Sequence, residues 1–198
     1  MSLQNVKEYL KNYNMDSKII ELNESSATFF MLGNKMKYNS DIILKVYNSN
    51  SEVASHTYSH KYLTKLNDTD LDTEFNSTSI IFNEITGGNI DYLRPPYGIY
   101  NDKVIENSPY PLILWNIDTK DWLTRDSNEI YNNIINNVCD GCIVLLHDTY
   151  KETIDALKIT LPVLKEKGYE VVSISNLLKA KNIELKRGDI IKKIDWLL

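Results

Sequence analysis

Residues 52–63 read "EVASHTYSHKYL", a short apolar run that stops at a serine and then delivers two histidines four residues apart. The chain holds only three histidines in 198 residues. The third, His147, ends another apolar run in "GCIVLLHDTY" (141–150). Two strand-like segments therefore each finish in imidazole, which predicts that His56, His60 and His147 converge at one rim.

Apolar runs of strand length recur along the chain: 27–32, 52–56, 91–95, 111–117, 142–147 and 169–174. Most are apolar on both faces, as strands of a parallel sheet covered on two sides must be. Helix-like segments lie between them near 35–49, 59–66, 72–87, 101–107, 127–139 and 151–167. The alternation predicts right-handed βαβ units, hence an α/β barrel or doubly wound sheet in a single domain over 1–198. The final "KNIELKRGDIIKKIDWLL" reads as a closing helix or an edge strand. Polar residues fall where such folds build their sites: His56, Arg94, Asp118 with Asp121, and His147 each sit at or just past a different strand's C-terminal end.

Composition excludes some functions. A formal charge of −5 with scattered lysines argues against nucleic acid as partner, because binding phosphates needs a basic face. No apolar stretch reaches the roughly 20 residues of a membrane span, and "MSLQNVKEYL" lacks the apolar core of a secretory leader. In "CDGC" the cysteines follow a helix and precede a strand, the reverse of a thioredoxin-like order. They read as buried packing rather than redox or metal chemistry.

If a helix starts at about Thr57, His56 and His60 share one face and form a two-point chelate for a divalent metal. The plain alternative is a pair of helix histidines. In "YLRPPYG" the prolines stiffen the loop after Arg94, which suits a carboxylate-holding arginine and an oxyanion-facing Tyr97 N–H, or simply a turn. "WNIDTKDW" sets two aspartates between tryptophans, as in a sugar-facing groove or a capped surface loop. His147 with a carboxylate partner suits a general acid, and the alternative is a core histidine.

In chain order, "ATFFMLG", "SHTYSH", "RPPYG", "DTKDW" and "LLHD" resemble the polysaccharide deacetylases of carbohydrate esterase family 4, the NodB-homology fold, from about residue 16 to 178. The resemblance implies a distorted (β/α) barrel and removal of N-acetyl or O-acetyl groups from peptidoglycan or a chitin-like glycan at the cell envelope. It implies a divalent metal, Zn2+ above all, on His56 and His60. Arg94 looks like the arginine that positions the catalytic base, the Tyr97 N–H like an oxyanion donor, and His147 like the general acid tuned by Asp121. Trp122 and Leu145 look like walls of the acetyl pocket.

One family motif, Thr-Phe-Asp-Asp-Gly, is absent, and no Asp-Asp pair occurs anywhere in the chain. Either the chain starts after that motif, or "VKEYLKNYN" (6–14) is a divergent first strand, which the 16–30 spacing favours. Glu8, Asp16 and Glu24 are the acids near enough in sequence to substitute. A missing strand would leave an edge that invites a second copy of the chain. Two functions follow: a metal-dependent glycan deacetylase, or a non-catalytic glycan-binding relative.

Overall fold

A computed structural model describes residues 24–195. The 6–14 segment, Glu8 and Asp16 lie outside the described residues. The chain divides into two compact units, each assembled from separated segments.

The first unit comprises Thr28–Leu114 and Ser173–Lys192. Its β1 (Thr28–Met31) pairs in parallel with β2 (Glu52–Ser55), from Thr28 opposite Glu52 to Met31 opposite Ser55. Leu93 bridges in parallel to both Ser55 and Leu112, and β3 (Leu112–Ile113) pairs in parallel with β6 (Ile190–Ile191). The helices are α1 (Gly33–Met36), α2 (Ser40–Tyr47), α3 (Asp68–Thr86), α4 (Asp102–Asn107) and α8 (Ile174–Lys181). Asn67 caps α3 by accepting the Asp70 N–H, and left-handed Gly87 ends it. The buried face of α3 carries Leu71, Glu74, Phe75, Thr78 and Phe82 at helical spacing. Leu71 and Phe75 join Leu63, Leu93, Val104 and Leu112 in one apolar cluster, each such side chain contributing about 2 kcal/mol.

In the second unit, which takes in Trp115–Val172, β4 (Ile117–Asp118) pairs in parallel with β5 (Val144–Leu145). The helices are α5 (Asp121–Thr124), α6 (Ser127–Asn137) and α7 (Lys151–Glu166). Ile130 and Ile134 of α6 pack on Ala156 and Leu164 of α7.

The parallel α/β reading holds, but several boundaries move, and no closed barrel forms among the described residues. The 91–95 run gives a single bridge at Leu93, since Pro95 and Pro96 cannot donate to a ladder. The 169–174 run is extended but not a strand: Val171 accepts one hydrogen bond from Ser26, and Ser173 already caps α8. The 111–117 run breaks into β3 and β4 around Asn116, whose side chain is taken up by the Ile143 N–H and the Cys142 sulfur. The 59–66 helix is only a 3-10 turn at Leu63–Lys65. The C-terminal segment supplies an edge strand, β6.

Cys139 and Cys142 correct the packing expectation. Both are partly exposed and joined in a disulfide, their Cα atoms 5.3 Å apart. Gly141 makes the turn between them. Its φ is +74°, its carbonyl accepts the Ile194 N–H at 2.9 Å, and a Cβ there would run into the Ile194 carbonyl. Gly141→Ala is therefore expected to destabilise the chain by more than about 1 kcal/mol, read as a lower urea midpoint. An unchanged midpoint would show that this turn does not constrain the start of β5.

Candidate active site

The segment after β2 is a loop, not the expected helix. Thr57 and His60 adopt left-handed φ values of 66° and 63°, each costing on the order of 1 kcal/mol. What replaces helical hydrogen bonds is external support. Ser55 Oγ accepts the Thr57 N–H at 3.1 Å, and Thr57 Oγ1 accepts the His60 N–H at 3.2 Å. The Thr57 and Tyr58 carbonyls accept the N–H groups of Gly33 and Asn34 at the start of α1. Beneath the loop lies Glu74 of α3, 1% exposed, which takes the Ser59 N–H at 2.8 Å and the Ser59 hydroxyl. Burial alone would raise its pKa, but the bonds from Ser59 and Thr57, with Lys61 nearby, hold it below the usual carboxylate value.

This loop brings the His56 and His60 rings to 4.8 Å between centroids. His56 Nδ1 lies 2.8 Å from the Arg94 carbonyl oxygen. That oxygen can only accept, so Nδ1 carries the proton and the lone pair sits on Nε2, the tautomer of a metal-ligating imidazole. Arg94 is 8% exposed and stacks on Phe30. It donates to the Ile113 carbonyl at 3.1 Å and the Leu114 carbonyl at 3.2 Å. Burial pulls its pKa down to about 9. Tyr97, also left-handed at φ 61° in the Pro96–Gly98 turn, packs its ring on His60 and stacks on Tyr62. His56, His60, Arg94 and Tyr97 thus come together in the first unit.

In the second unit, Asp121 opens α5 and is fully buried. Its Oδ1 accepts from His147 Nδ1 at 2.8 Å. Its Oδ2 accepts the His147 N–H at 2.6 Å and the Thr153 hydroxyl at 2.8 Å. Burial would raise the Asp121 pKa, yet the hydrogen bonds and charge of His147, with Thr153, lower it overall. The carboxylate fixes the Nδ1–H tautomer of a ring that is 39% exposed. Trp122, 47% exposed, donates its backbone N–H to Asp121 Oδ1. Leu145 is buried and accepts the Thr119 hydroxyl on its carbonyl. Asp118 caps the following turn by accepting the Lys120 N–H. Burial pushes Asp148 up to about 6.

The donor chemistry of the histidine loop fits a divalent cation at two points, through the fixed tautomer of His56 and its neighbour His60. Among the described residues no His, Cys, Asp or Glu completes a three-donor cluster. Glu24 is exposed and pairs with Lys165 at 2.6 Å. Sequence reasoning missed Glu74, Ser59, Thr119 and Thr153. The available signal for Glu74 was a carboxylate on the apolar stripe of α3.

The sequence profile of the family described as "Polysaccharide deacetylase" matches residues 10–109. The chain belongs to this family. Among curated relatives, the peptidoglycan-N-acetylmuramic acid deacetylase PdaC of Bacillus subtilis is 32% identical over 78% of this chain and 33% of its own length. The chain therefore spans about a third of that relative. A peptidoglycan-N-acetylglucosamine deacetylase of Bacillus cereus is 32% identical over 80% of this chain and 78% of its own. The solved PdaC structure superposes with a TM-score of 0.83, 30% identity, and coverage of 87% of this chain and 85% of that one. A family 4 pseudoenzyme of Bacillus anthracis gives a TM-score of 0.80 at 26% identity, covering 85% and 60%.

The two shifted aspartates have opposite pH signatures. Asp121, depressed in the fold, contributes stability above the unfolded carboxylate pKa of about 3.9 and loses it as pH falls further. Asp148, raised, loses stability as pH climbs from about 4 to about 6. Urea unfolding across pH 3–7 should therefore flatten below pH 4 in Asp121→Asn and between pH 4 and 6 in Asp148→Asn.

Proposed function

We propose that this chain is a metal-dependent deacetylase domain that removes N-acetyl groups from amino sugars of a cell-envelope polysaccharide, peptidoglycan first. It acts as a single polysaccharide-deacetylase-like domain over 1–198. The observation that carries this reading is the fully buried Asp121 holding a partly exposed His147 in one tautomer. A glycan-binding surface needs no such desolvated pair, whereas proton delivery to a leaving amine does.

In this mechanism His56 and His60 hold the cation, with zinc as the proposed ion. When bound, it would polarise the acetyl carbonyl and acidify water. The Tyr97 N–H, fixed by its left-handed turn, donates to the developing oxyanion. Arg94 places its positive charge close by and stiffens the loop through the Ile113 and Leu114 carbonyls. His147 delivers to the departing nitrogen a proton first taken up on Nε2, while Asp121 holds its Nδ1–H and keeps the ring oriented. Trp122 and Leu145 line the space for the acetyl methyl. Ester substrates would need the same donors, so O-acetyl groups fall within reach of this chemistry.

A second reading, glycan binding without turnover, is favoured by the absence of any Asp-Asp pair in the sequence and by the likeness to a pseudoenzyme. Product release from chitin oligomers and from peptidoglycan, with Zn2+ added, separates the two. Activity should fall about 10²–10⁴-fold in His147→Ala. His56→Ala combined with His147→Ala should be little worse than the more damaging single change, as for residues serving one reaction. Retained glycan binding with no product from the unaltered chain would favour the second reading, and equal product from His147→Ala would dismiss the acid role.

A further inference from the structure

Glu74 is a titratable group buried to 1% that the mechanism above does not use. It sits on the apolar face of α3, between Leu71 and Thr78, where an uncompensated carboxylate would be costly. Every neighbour that satisfies it comes from the histidine loop: the N–H and hydroxyl of Ser59, the hydroxyl of Thr57, and the Lys61 ammonium at 3.5 Å. Thr57 passes the constraint on, since its oxygen also accepts the His60 N–H. A continuous path of hydrogen bonds therefore runs from a rigid 19-residue helix to the backbone of His60.

We propose that Glu74 is a positioning residue that holds the His60 segment in its left-handed conformation, and with it the two-imidazole cation site. The inference rests on the metal reading given above. Its charge acts in the same direction, placing a fixed negative group behind a site that takes a dication. Glutamine cannot replace it. One carboxylate oxygen would become an NH2 facing hydroxyl and amide donors, and the charge would go.

Titration of the full chain with Co2+ alone tests this, following affinity and the visible absorption band of the bound ion. Glu74→Gln should weaken Co2+ binding by about 10–100-fold and change the band, as loss of a ligand-supporting partner does. Phe82→Leu, on the same helix face but away from the loop, should alter neither, although it loosens the core. Ser59→Ala removes one bond and guards against misfolding of the first variant. It should weaken binding about fivefold. Wild-type affinity in Glu74→Gln, or equal weakening in Phe82→Leu, would overturn the positioning role. Failure of the unaltered chain to take up Co2+ would overturn the metal reading and this inference together.

Discussion

A carboxylate removed from water must have its lone pairs met by donors, and that requirement shapes both histidine-bearing segments. Asp121 and Glu74 are each almost wholly buried. Each is satisfied mainly by hydrogen-bond donors of the loop that follows or faces it, with the Lys61 ammonium also near Glu74. Asp121 draws in the backbone and ring of His147, while Glu74 draws in Ser59 and Thr57. Leaving such a group short of even one partner costs about 1–3 kcal/mol. The loops therefore have little freedom to place their imidazoles elsewhere.

The same requirement explains why the segment after β2 abandons the helix. A helix from Thr57 would aim the Ser59 and His60 N–H groups back along its own axis rather than at Glu74 and Thr57. Two left-handed residues are unfavourable for threonine and histidine, but they turn those N–H groups toward Glu74 and Thr57. Gly33 contributes from the other side. A Cβ there would lie 2.6 Å from the Thr78 hydroxyl, so only glycine lets α1 approach α3 closely enough to cap the loop carbonyls.

Strand and helix periods carried much of the fold. The runs at 27–32 and 52–56 and the helices at 101–107, 127–139 and 151–167 survive within a residue or two because their apolar stripes agree with their caps. Legibility failed where side chains rather than periodicity set the backbone. Asn116 splits one apolar run, two prolines reduce another to a single bridge, and Glu74 converts a helical spacing into a loop. The Asp121 and His147 partnership was legible only through the family resemblance, since residues 26 apart leave no periodic trace. The cysteines were misread because a four-residue loop closed by glycine looks the same in sequence whether the thiols are joined or merely packed.

The donor inventory also separates what the site holds from what it lacks. Two imidazoles give a borderline-soft cation nitrogen ligands, but hydrolysis at neutral pH also needs a group to take the proton from water. With its Nδ1–H held by Asp121, the neutral His147 ring keeps a lone pair on Nε2, which can take a proton and then pass it on. Arg94 cannot fill that role, since even with its pKa drawn down to about 9 it remains a cation near neutrality. Of the three acids adjacent in sequence, Glu24 is engaged on the surface by Lys165. Hydrolysis of the kind proposed would therefore draw on His147 Nε2 or on an acid other than Glu24.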